Sequence, residues 1–188
     1  MKIFCIGRNY VDHAKELNNP VPSQPLVFMK PVTAILKAGK PFYYPDFSKD
    51  IHYELEVVLK ICKNGKHVEE KFADTYYDQV GIGIDFTARD VQKKCKEKGH
   101  PWEIAKAFNH SALVSDFQPK ENLPDLNAIK FELKQNDKSV QQGNTTDLIF
   151  PFATLISHLS KYFTLNVGDY IFTGTPAGVG PVKIGDKL

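Results

Sequence analysis

The chain has 188 residues, 42% hydrophobic and 24% charged, with a formal net charge of +2. That length suits one domain with a real core, and a charge this small creates no field of its own for nucleic acid. No apolar stretch approaches membrane-spanning length, and the run from Met1 to Gly7 is too short for a signal peptide, so no membrane partner is expected. Three cysteines, Cys5, Cys62 and Cys95, cannot all pair and lack C-x-x-C spacing, which points to a reducing compartment and an expected cytoplasmic location.

The N-terminus reads as a short strand to Ile6 and a Gly7-Arg8 loop. Asn9 is placed to cap a brief helix that carries His13 and Glu16 and ends at Asn18-Asn19-Pro20. The i, i+3 spacing puts His13 and Glu16 on one face. A carboxylate beside an imidazole fixes its tautomer and raises its basicity, as a general base for water needs; an exposed surface pair has the same spacing. Pro20, Pro22 and Pro25 then force an extended connection into Leu26-Met29, which ends at Lys30-Pro31.

Ile51, Tyr53, Leu55, Val57 and Leu59 alternate with His52, Glu54 and Glu56, the pattern of a half-buried strand with both carboxylates on one face, about 7 Å apart. Neighbouring acids on a strand repel each other, and a divalent cation would turn that repulsion into attraction. The strand is expected to reach about Lys63 and turn tightly at Asn64-Gly65. The buried-strand run Val80-Ile84 ends on Asp85, and Thr87 with Asp90 resembles a capping pair for a helix to Lys98 that stops at Gly99. Glu54, Glu56 and Asp85, with no paired Cys/His set, suit a hard ion with open positions for substrate. A solvated strand face and a turn cap are the competing explanations.

Arg89 and Gln92 share a helix face one turn beyond Asp85, within reach of a ligand. Lys93, Lys94, Lys96 and Lys98 read as a solvated helix face. Lys106 lies in an apolar neighbourhood, where it either meets an anion or snorkels to water. Ile129, Phe131 and Leu133 predict a strand turning near Asn136-Asp137, and Phe152, Leu155, Ile156, Leu159 and Phe163 a core-packing helix. A strand through Tyr170 to Thr173 leads into a glycine-rich loop, in which Thr175 offers a hydroxyl. His52, His67, His100, His110 and His158 show no ligand spacing and read as structural. The fold class is α+β, strand-rich with a few short helices.

Taken in order, these stretches resemble the fumarylacetoacetate hydrolase family, specifically its small single-domain branch. They are Gly7-Tyr10 with His13 and Glu16, Phe28-Pro31, His52-Glu56, Gly83-Gln92, Gly99-Trp102 with Lys106, and Thr173-Gly180. The resemblance implies a β-rich mixed-sheet roll over residues 1–188 that forms a homodimer, with a lid-like segment over residues 1–25. Family members continue past the Gly185-Asp186 turn with a closing strand pair, so the C-terminal edge, which stops at Leu188, is expected to be truncated. The resemblance further implies Mg²⁺ or Mn²⁺ on Glu54, Glu56 and Asp85, catalytic roles for His13, Glu16 and Lys106, and substrate contacts at Arg8, Lys30, Arg89, Gln92 and Thr175.

The expected activity is metal-dependent C–C cleavage of a small-molecule 2-keto acid, by acylpyruvate hydrolysis or oxaloacetate decarboxylation through a pyruvate enolate. His13, oriented by Glu16, would activate water for hydrolysis, and Lys106 would hold developing negative charge. The alternatives are isomerisation or decarboxylation of a hydroxyheptadienedioate, and a non-catalytic keto-acid binding protein.

Overall fold

A computed structural model describes residues 1–17 and 20–188, so the helix stop expected at Asn18-Asn19 lies outside the described residues. Strand β1 (Ile3–Gly7) is followed by α1 (Val11–Glu16), then β2 (Leu26–Lys30) and β3 (Ile35–Lys37). Next come β4 (Ile51–Tyr53), β5 (Leu55–Ile61), α2 (Glu70–Ala73), β6 (Tyr77–Asp85) and β7 (Thr87–Ala88). Helices α3 (Arg89–Lys98) and α4 (Glu103–Lys106) precede β8 (Ala112–Val114) and β9 (Gln118–Pro119). The chain closes with β10 (Lys130–Gln135), β11 (Lys138–Asn144), α5 (Phe152–Tyr162), β12 (Tyr170–Phe172) and β13 (Gly180–Pro181).

The main sheet has the order β2-β1-β12-β5-β6-β8-β3, with β9 added on β6. It is parallel at β1–β12 and β3–β8 and antiparallel elsewhere, so the architecture is the expected α+β mixed sheet. A small sheet, β13-β4-β7, and the β10-β11 hairpin complete it. The hairpin turns at Asn136 and Asp137 in left-handed conformation, φ 51° and 66°, where that pair is tolerated.

One face of the main sheet packs Phe4, Ile6, Val57, Leu59 and Ile171 against Leu155, Ile156 and Leu159 of α5. The other buries Ile3, Cys5, Val58, Val114 and Phe172. Each fully buried aliphatic side chain is worth about 1.5–3 kcal/mol over leaving it in water. Strand β5 runs between β12 and β6 and is covered on both faces, so the expected half-buried strand is corrected. Alternation showed which residues share a face, but not that the second face is also covered.

Three local expectations are corrected by long-range partners. Asn9 does not cap α1; its amide donates to the Phe150 and Thr173 carbonyls at 3.0 and 2.8 Å and its Oδ1 accepts from Phe150 N at 2.8 Å. Asn64-Gly65 makes no tight hairpin. Gly65 exchanges backbone hydrogen bonds with Leu165, and α2 intervenes before β6. Thr87 is a strand residue and Ala88 precedes α3, whereas Gly99 ends that helix at φ 65° as expected.

The lid-like segment expected over residues 1–25 also needs narrowing. Ile3, Phe4 and Cys5 are fully buried between β2 and β12, so β1 is core, and Asn9, Tyr10 and Ala14 are buried beyond it. At the other end, Asp186 accepts from Gln135 and Asn136, and the Lys187 backbone exchanges hydrogen bonds with Asn136.

Candidate metal centre

One antiparallel strand pair crosses from the main sheet into the small one. The β5–β6 pair becomes β4–β7, with Ile51 opposite Ala88 and His52 opposite Thr87. Glu54 occupies the break between β4 and β5, and Asp85 ends β6. At this corner Asp85 N donates to Glu54 O at 2.9 Å, and Leu55 N turns to the side-chain oxygen of buried Gln141 at 2.9 Å. The corner interrupts the ladder, so its backbone groups are met partly by side chains.

Glu56 faces the same point from β5, opposite Gly83. A Cβ at Gly83 would sit 2.6 Å from the Phe172 ring and 2.7 Å from the Leu113 carbonyl, so only glycine fits the packed strand there. Gly174, at φ 108°, donates its N–H to Glu56 Oε2 at 2.6 Å from the loop after β12. The parallel pairing of β1 with β12 brings the Gly7-Arg8 loop and this glycine-rich loop to the same end of the sheet.

Ligand atoms of Glu54, Glu56 and Asp85 all lie within 4.8 Å of one another, and all three residues are buried. Lys106 Nζ ties two of them together, donating to Glu54 Oε2 at 2.8 Å, Asp85 Oδ2 at 2.7 Å and Thr87 Oγ1 at 2.6 Å. Arg89 meets Glu54 Oε1 at 2.6 Å, and Lys30 Nζ meets Asp85 Oδ1 at 2.7 Å. Burial alone would raise Glu54, but Lys106 and Arg89 overcome it and hold that carboxyl well below the usual range. Glu56 goes the other way: burial, then Asp85, push it well above the usual value. Lys106 is raised, because Asp85 and Glu54 outweigh the burial that would lower it.

The residues present fit a divalent ion. The donor set is oxygen only, which suits a hard cation, and the crowding that raises Glu56 is the imbalance such an ion relieves. A solvated strand face is excluded, since the carboxylates are buried.

A narrow cleft, with a cavity volume of about 30 Å³, lies over the acids. Its wall includes Arg8, His13, Arg89, Gln92, Lys106 and Thr175, six of the residues expected at the site. His13 is buried, with Nδ1 3.3 Å from Glu16 Oε2, and Glu16 Oε1 accepts from Gly178 N at 3.0 Å. Burial lowers the His13 pKa, opposed by Glu54 and Glu16. Gln92 accepts from Arg89 Nη1 at 2.8 Å, and Thr175 Oγ1 accepts from Gln141 at 2.9 Å. Arg89 Nε is buried and unpartnered among the described residues, a donor left for a ligand.

Two expected residues stand elsewhere. Glu16 lies behind His13, and Lys30 is not part of the cleft wall. Lys30 is fully buried beneath Asp85, donating to the Lys106 carbonyl and to Ser111 O and Oγ at 3.2 and 3.0 Å. The other histidines do not line the cleft. Lys96 is exposed, as expected of a solvated face, and also lines the cleft, as do Phe28 and Trp102. Arg89, Gln92 and Lys96 fall at i, i+3 and i+7, a spacing that marks one helix face and was already visible in the sequence.

The family described as "Fumarylacetoacetate (FAA) hydrolase C-terminal" matches residues 2–188. The chain belongs to that family. It is 45% identical over 186 residues to a human protein named oxaloacetate tautomerase, mitochondrial, covering 99% of this chain and 84% of the relative. A Dictyostelium discoideum protein named oxaloacetate decarboxylase, mitochondrial, is 41% identical, covering 100% of this chain and 86% of the relative. Among solved structures, fumarylpyruvate hydrolase from Pseudomonas aeruginosa, in complex with Mn²⁺ and pyruvate, superposes with a TM-score of 0.93 at 35% identity. That match covers 99% of this chain and 82% of the hydrolase. These fumarylacetoacetate hydrolase relatives are enzymes of keto acids. Their mitochondrial names overturn the cytoplasmic expectation: reduced cysteines separate reducing from oxidising surroundings but do not single out the cytosol.

Proposed function

We propose that residues 1–188 form a catalytic domain for divalent-metal-dependent chemistry on short 2-keto acids, with oxaloacetate and acylpyruvates as substrates and Mg²⁺ or Mn²⁺ as the ion. The observation that carries this reading is the convergence of Glu54, Glu56 and Asp85 within 4.8 Å below a cleft that His13 also lines. The relatives' names support the substrate class.

When bound, the ion supplies Lewis-acid polarisation of the substrate's carboxylate and 2-keto oxygens. Lys106 and Lys30 position the carboxylates that hold it, with two Lys106 N–H groups on Glu54 and Asp85 and the third on the Thr87 hydroxyl. Arg89 offers its buried Nε–H to substrate oxygen. Glu16 holds the His13 tautomer with Nδ1–H directed at the carboxylate, leaving Nε2 as the base. Because burial lowers its pKa, His13 is neutral near pH 7 and able to accept a proton from substrate C3 or from an attacking water. The N-terminal segment that carries His13 and Glu16 acts as the lid, and the chain works as a homodimer, which light scattering in solution would test.

His13→Ala is expected to cut acylpyruvate hydrolysis and keto–enol proton exchange by about 100-fold or more. Decarboxylation of oxaloacetate, which needs no activated water, should largely survive. Equal loss of all three activities with the metal still bound would reject this division of labour.

A further inference from the structure

The cations around the cleft fall into two groups. Lys106, Arg89 and Lys30 are committed to Glu54 and Asp85. Arg8 and Lys96 line the same cleft and take no ion pair among the described residues. Lys96 lies on the α3 face of Arg89 and Gln92, about 10 Å along the helix from Arg89 at 1.5 Å per residue. Its Nζ sits over the Trp102 ring at 5.5 Å from the centroid, and Trp102 is itself part of the wall. An aromatic face holds an ammonium in place without neutralising it, leaving its N–H groups for an anion.

Arg8 reaches the cleft from a backbone at φ 59°, the left-handed region that a branchless glycine would occupy without strain. Non-glycine residues persist there when the surroundings over-determine them, which is common where a side chain must be aimed at a ligand. Lys96 also feels Arg8. Burial and then Arg8 lower the Lys96 pKa, and burial lowers that of Arg8. An anion in the cleft that both line would favour the charged form of Lys96.

We propose that Lys96 and Arg8 form a subsite for the distal carboxylate of a 2-keto dicarboxylate, and so select dicarboxylic substrates over acylpyruvates with an uncharged distal end. The proposal rests on the keto-acid reading above and adds the residues that choose within that class. Arg89 and the acids receive the 1-carboxylate end; Lys96, seven residues further along α3, receives the other.

Malate and lactate test it without turnover, since both carry the 2-hydroxy acid end and only malate has a distal carboxylate. Calorimetry on the Mn²⁺-loaded chain should find malate bound about tenfold tighter than lactate, the size of one partly exposed charge-assisted contact. Lys96→Met should remove most of that difference with lactate unchanged, and Lys96→Arg should restore it. Arg8→Gly should also reduce it without lowering the melting temperature, because glycine relieves the backbone. No preference for malate in the wild type, or equal weakening of both ligands in Lys96→Met, overturns the subsite. If the malate preference holds but no 2-keto acid is turned over, the catalytic reading falls and the subsite stands. If oxaloacetate is turned over without that preference, the reverse holds.

Discussion

Helices α3 and α5 have nearly the same length and a similar one-sided pattern, yet they bury opposite chemistry. Helix α5 places Leu155, Ile156 and Leu159, all fully buried, against the main sheet. Helix α3 buries Gln92 and Cys95 and turns Arg89, Gln92 and Lys96 toward the cleft. The α5 face is satisfied by contact alone. The α3 face contains donors that need partners, and Arg89 Nε has none among the described residues. A helix whose inward face is polar points to a ligand, whereas an apolar one points to a neighbouring element.

The sharpest way to break the contrast is to damage α5 and leave α3 intact. Leu159→Ala should cost about 2–5 kcal/mol of unfolding free energy in a urea melt, the range for emptying a packed leucine site. The protein that remains folded should still bind Mn²⁺ normally. If metal binding is lost in step with stability, the two helices are not the independent units described above.

The converse change is Glu56→Gln, at the acids that α3 overlooks. Mn²⁺ affinity should fall more than about 100-fold, beyond the effect of losing an outer partner of a metal ligand. The metal-free chain should be at least as stable as wild type, since a crowded carboxylate has been neutralised. Titration calorimetry and a melt on one preparation report both.

A smaller effect follows from the sign of the Glu56 shift. Its folded pKa is raised, so its stabilising contribution is present below the ordinary glutamate value and is lost as pH rises through the raised one. Metal must displace that proton. Mn²⁺ affinity should therefore climb with pH, by at most about tenfold per unit for one proton, until Glu56 ionises on its own. Calorimetry in two buffers of different ionisation enthalpy should detect the released proton in wild type and lose it in Glu56→Gln.

How far the sequence could be read depended on where each residue's partners lie. The α5 periodicity, the Asn136-Asp137 turn and the Gly99 stop were legible because each is decided within a few residues. The acid pair was legible because alternate strand positions share a face, and Asp85 because a strand ended on it. Asn9, Gly65 and Lys30 were not, since their partners lie roughly 80 to 160 positions away. Lys96 was lost among neighbouring lysines, although its spacing from Arg89 and Gln92 was available.

Local chemistry and period, both carried by the chain itself, determined that Glu54 and Glu56 look the same way, that His13 and Glu16 share a helix face, and that α5 packs in the core. Only the tertiary structure decided that one strand pair turns a corner at Glu54 and Asp85, and that Lys106 and Lys30 meet the carboxylates there. It also decided that Lys96, although exposed, stands at the rim of a cleft. The physical reason is that a residue's face follows from its neighbours in sequence, whereas what covers that face follows from how distant segments close against it.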